Sequence, residues 1–221
     1  MEKEGAMNNS KRVWFDLLFY IAIPYLIWNQ GKDLIGDYYA ILLSTAPAFF
    51  YTIYTFIKER QFNVTGLFLV ITLLARTIVD LLSGNAETML VNQVYFMIGL
   101  AIFTFITILV KRPIGLYFFV DTAYLMGYKR EDSKKLFFEQ DLFKMMNWLT
   151  VLFAGRYVFL AIVKYVLIQK YGVEGYGNMI VFRQAVTWAF SILIAIYTYF
   201  IYKKIQEKTG IDNPVNPNMN E

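Results

Sequence analysis

Six apolar runs, each close to the length of a bilayer crossing, dominate this chain. A transmembrane helix needs about 20 mostly apolar residues at 1.5 Å rise each. The runs cover 13–28, 38–57, 64–82, 91–110, 145–168 and 179–202. Turn and cap residues separate them, as in "NQGKDLIGD", "KERQFN", "SGNAET" and "QKYGVEGYGN". In hydrocarbon a helix satisfies its own backbone polar groups, so the pattern predicts an all-α polytopic membrane protein. Six transmembrane helices are expected in one bundle. The "MEKEGAMNNSKR" ahead of the first run is like a signal peptide's basic start, but no small-residue cleavage site closes that run. It reads as a retained first span. The expected layout is an N-terminal segment 1–12, a six-span domain 13–202 with a connecting loop 111–144, and a polar, disordered tail 203–221.

Lysine and arginine set the orientation, because loops on the cytoplasmic side hold them in excess. The segments on one side hold 15 of the 21 basic residues, and the opposite loops hold 2, Lys32 and Lys170. Both termini are therefore expected in the cytoplasm. The net charge of +4 points to anionic lipid as a partner rather than nucleic acid, since the basic residues cluster beside the spans. Lys111, Arg112, Lys129, Arg130, Lys134 and Lys135, all in the long loop, are the candidates for lipid-headgroup contact.

That loop carries a second apolar stretch, Ile114–Met126, which is too short to cross. It is expected either in the interface or packed beneath the bundle. The mixed-sign "KREDSKK" after it reads as a solvated hinge. Pro24 and Pro47 lie inside the first two spans and are expected to kink them. Gly99 and Gly155 are expected to permit close helix contacts.

Four basic residues remain, and they lie inside spans: Arg76, Arg156, Lys164 and Arg183. Asp80 follows Arg76 by one helical turn, on the same face as Thr65, Thr72 and Ser83. Charge in hydrocarbon costs about 2.5–3.5 kcal/mol on insertion scales, so it faces protein or water and finds a partner. Two readings stay open for the Arg76–Asp80 pair. Arg76 lies about 9 Å from the span's end at 1.5 Å per residue, within snorkelling reach, which makes the pair a helix-end ion pair. Alternatively Arg76, Asp80, Arg156, Lys164 and Arg183 converge as a ligand site for an anion, with Arg156 deepest.

The chain has no cysteine and no histidine, which removes disulfides, thiolate ligands and the commonest neutral-pH base. No Gly-rich phosphate loop, metal-ligand cluster or nucleophile–base pair is present, so no catalytic residue, metal or cofactor is assigned. Gly175-Tyr176-Gly177 lacks the preceding Thr-Val of a potassium filter and stands in a loop beside Glu174.

From Asp37 to about Val120 a basic loop ("IKERQFN") leads to a span ending "LLSGNAETMLV". The next span has a central Gly99 and closes on Lys111-Arg112-Pro113, followed by Tyr117-Phe118-Phe119. This run resembles the VC0807-like membrane proteins, related to the intracellular septation protein A group. The outer turn departs from the family form, with Asn85-Ala86 in place of an aspartate and a proline. The resemblance implies a small helical bundle in the bacterial cytoplasmic (inner) membrane, linked in the septation branch to envelope and division machinery. It brings no catalytic residues.

The expected function is thus a non-enzymatic inner-membrane protein acting through helix and lipid contacts in cell-envelope maintenance or division. Its candidate partners are membrane lipid, a second copy of itself, and envelope or division membrane proteins. The alternative is a transporter or channel for a small anionic or amphiphilic solute, with the arginines lining its site. A lipid-directed enzyme would need Asp80 or a tyrosine as base and is set aside.

Overall fold

A computed structural model describes residues 14–58 and 62–209. Among these, all regular structure is helical. Residues 14–17 are helical and run into a π turn at Leu18–Ala22. The helices that follow are α1 (Ile23–Ile35), α2 (Asp37–Lys58), α3 (Val64–Leu82), α4 (Ala86–Leu109), α5 (Ile114–Leu125), α6 (Arg130–Phe137), α7 (Gln140–Tyr171) and α8 (Tyr176–Thr209). Five of them, α2, α3, α4, α7 and α8, are long and apolar enough to cross a membrane. They coincide with five of the six sequence runs. The expectations for segment 1–12 and for residues 210–221 fall outside the described residues. Residues 203–209, assigned to the polar tail from sequence, instead continue α8.

Local chemistry sets the breaks. Pro24 lacks an N–H, and its ring crowds the carbonyl of Tyr20 one turn earlier. Tyr20 lies within the π turn, where Ile23 N–H reaches back to Leu18 O. The wider turn accommodates the proline there. Pro47, by contrast, lies within α2, and the helix continues past it. The hydroxyls of Ser44 and Thr45 donate to the carbonyls of Ile41 and Leu42 just before it. Gly84 ends α3 with φ +74°, a conformation that side chains resist. Asn85 Oδ1 then accepts from Thr88 N at 2.8 Å and caps α4.

The chain divides into two compact units, and α3, α4, α7 and α8 contribute to both. The first holds the N-terminal helices, Leu69–Phe96 and Ala161–Ala185. Its core gathers Trp28, Ala40, Ile41, Met89, Leu90 and Tyr176. The first helical segment and α2 form an antiparallel pair. Phe19 stacks on Tyr51 with centroids 4.8 Å apart, and Tyr20 hydrogen-bonds Thr52 at 2.9 Å. Trp28 meets Tyr176 edge-on, and Tyr176 shares a buried hydrogen bond with Ser44 at 3.2 Å.

The second unit holds Phe62–Phe68, Met97–Leu160 and the chain from Val186. Its core is built around α5, from Leu116, Phe119, Phe137, Met146, Leu149 and Ile201. Half of α5 is buried, so it packs against its neighbours rather than lying free in an interface. Gly115 makes this possible. A Cβ there would stand 2.8 Å from Thr150 Oγ1, and the Gly115 N–H donates to that same oxygen at 3.0 Å. The "KREDSKK" stretch is not a hinge but part of α6, anchored by buried Ser133 and Phe137. A Cβ at Gly99 or Gly155 would meet nothing within 4 Å, so neither makes the expected close contact among the described residues.

Candidate functional site

Within the first unit, the turn at Gly84 folds α4 back on α3 and brings Asp80 opposite Gln93. Asp80 Oδ1 accepts from Gln93 Nε2 at 2.6 Å, and Oδ2 lies 3.8 Å from Arg76 Nε. On the far side of the amide, Lys164 Nζ of α7 donates to Gln93 Oε1. A carboxylate, an amide and an ammonium thus form one chain across three helices. Asp80 is 2% exposed, Gln93 1% and Lys164 8%, so solvent competes little for these bonds. The Arg76 side chain is 24% exposed and forms the open end. Beside them Asn92 Nδ2 donates to Ser83 Oγ at 2.9 Å, and the Tyr38 hydroxyl donates to Leu81 O at 2.9 Å. Arg183 of α8, half-buried, is close enough to Lys164 for the two charges to repel.

Asp80 is held between two partners. One oxygen accepts a hydrogen bond from Gln93 and the other faces the Arg76 guanidinium, so both carboxylate oxygens are turned to partners within the chain. The chemistry it supports is the joining of helices: an amide that donates to a carboxylate and accepts from an ammonium fits both charges at once. Among the described residues no group of three or more acidic, His or Cys side chains is placed to hold a metal.

Of the sequence-predicted ligand residues, Arg76, Asp80, Lys164 and Arg183 fall in the first unit, and Arg156 falls in the second. Half-buried Arg156 donates from Nη2 to Thr187 Oγ1 at 3.3 Å, and its buried Nε has no hydrogen-bond partner among the described residues. The loop carboxylate Glu174 pairs with Lys32 at 2.8 Å.

Two residues that sequence reasoning passed over matter most. Gln93 carries no charge, so a search for ions in the spans skips it; an amide inside an apolar helix was the available signal. Asp121, in the second unit, is 3% exposed. Its Oδ2 accepts from the Thr65 N–H at 2.8 Å and the Thr65 hydroxyl at 2.9 Å, capping the first turn of α3. Its Oδ1 lies 3.5 Å from Arg130 Nη2.

Arg130 was expected at lipid headgroups. It is 45% exposed, pairs with Asp121, and covers the Tyr124 ring at 4.4 Å. The other five candidates, Lys111, Arg112, Lys129, Lys134 and Lys135, are all exposed. Compared with protein-family models, with curated proteins and with solved structures, the chain has no match.

Proposed function

We propose that this chain is a non-enzymatic protein of the bacterial cytoplasmic membrane, working through helix and lipid contacts in envelope maintenance or division, in the manner of the septation protein A-like group. In this reading it crosses six times. The helical residues 14–28, which include the π turn, supply the first crossing, and both termini lie in the cytoplasm. The basic-residue split of 15 to 2 supports that orientation. The observation that carries the function is the continuous chain from Arg76 through Asp80 and Gln93 to Lys164. Charges used to join helices are what a contact protein requires, whereas a solute site leaves some of them free for the solute.

Cross-linking in native membranes tests this reading. Envelope-assembly proteins are the expected partners; recovery of the protein alone rejects a scaffolding role. One observation favours the transporter reading, namely the buried Arg156 Nε, which has no acceptor among the described residues. Anion flux in liposomes that disappears in Arg156→Gln carries that alternative, and flux that is absent or unchanged rejects it.

A further inference from the structure

Within the second unit, α5, α6 and the last turns of α8 line a partly open cavity of about 160 Å³. Its walls are apolar, formed by Phe119, Ala123, Met126, Phe137 and Ile205 among others. Among the polar residues on the lining, one hydroxyl stands out. Tyr128 lines the cavity, and its hydroxyl is buried with no hydrogen-bond partner among the described residues. The nearby Tyr202 hydroxyl is used already, donating to Met126 Sδ at 3.7 Å. Exposed Asp132 and buried Ser133 complete the polar lining, and no lysine or arginine lines the space.

Size, polarity and charge each restrict an occupant. A dry cavity of about 150 Å³ accepts benzene, so a body of about six carbons fits here. Water needs two or more polar partners to settle, and the apolar walls offer few. A buried hydroxyl without a partner is a cost that a ligand oxygen removes. Burial also raises the pKa of Tyr128 above the ordinary phenol value, so the hydroxyl keeps its proton to donate. Asp132 is the one charged residue on the lining; Lys129, Arg130, Lys134 and Lys135 belong to the same segment but do not line the space, so its interior disfavours carboxylates and phosphates.

We propose that this cavity binds the six-carbon-sized apolar part of a neutral amphiphile, whose single oxygen accepts a hydrogen bond from the Tyr128 hydroxyl. The site stands on its own geometry and does not depend on the envelope role.

The full chain in detergent, with its methionine methyls labelled for NMR, provides the test, and the Met126 methyl is the reporter. Cyclohexanone should shift that resonance saturably, and cyclohexanecarboxylate should not. Tyr128→Phe should weaken cyclohexanone about tenfold while leaving methylcyclohexane unchanged. Ala123→Phe should abolish both by filling the space. The proposal is overturned by a missing saturable shift, by equal ketone affinity in Tyr128→Phe, or by a carboxylate that binds as well as the ketone. Tyr128→Phe removes only an oxygen that has no partner, so it keeps the test sound even if the bulkier variant misfolds. In nanodiscs, a chain-end spin label on phosphatidylethanolamine that quenches the Met126 methyl and resists displacement by cyclohexanone would assign the cavity to lipid and overturn the proposal.

Discussion

Asp80 illustrates how one ionised group becomes tolerable in an apolar helix. Arg76 faces one oxygen and Gln93 donates to the other. Replacing it by asparagine keeps an acceptor for Gln93 but leaves Arg76 and Lys164 without a counter-charge. Breaking a buried pair from one side costs about 3 kcal/mol. Asp80→Asn should lower unfolding stability in detergent by that order, measured against a denaturing surfactant. Gln93→Leu should cost about 1–2 kcal/mol, because a membrane hydrogen bond is worth less than a charge pair. The double variant should fall short of the sum of the two, since both act on one network. The Arg76–Asp80 half of this network was legible in the sequence, because residues four apart on a helix are neighbours. The Gln93–Lys164 half was not, because 71 residues separate the partners and only the fold brings them together.

Among the elements, α5 depends on tertiary context more than any other. Its apolar run is short, and sequence left its placement open between interface and bundle. The deciding residue is Gly115, whose missing side chain admits Thr150. Gly115→Val should cost about 1–3 kcal/mol through overpacking, read from the same unfolding curves. Thr150→Ala should relieve the clash in part while leaving the Gly115 N–H unbonded. Asp121, on the same helix, caps the start of α3. Asp121→Ala should cost about 0.5–2 kcal/mol and speed amide exchange at Thr65 relative to the middle of α3. Five of the six apolar runs were legible as long helices because hydropathy marks them, yet their ends were not. α7 begins at Gln140 rather than 145, and α4 at Ala86 rather than 91. Polar residues such as Asp141 and Glu87 extend a helix beyond its greasy stretch, and hydropathy does not register that. The same blindness made α6 look like a hinge, since its low apolar content hides the buried Phe137.

For the molecule as a whole, orientation is the property most open to direct measurement. The chain contains no cysteine, so single cysteines can be introduced without background. With six crossings, cysteines at Lys32 and Lys170 should react with a membrane-impermeant maleimide in intact spheroplasts. One at Lys134 should react only after lysis. Labelling of Lys134 together with Lys32 from outside would mean an even number of crossings between them, not the three proposed, and would remove the proposed layout. The short distance in sequence from Asp80 to Gln93, 13 residues, also sets an order of events during synthesis. The α3–α4 hairpin carries its own counter-charge and its own amide, so it can leave the translocon close to electrically neutral. Lys164 emerges 71 residues after Gln93, about 4–14 seconds later at ordinary elongation rates. The ammonium therefore arrives at a receptor already in place, and the later helix docks onto the earlier pair instead of shielding it during entry.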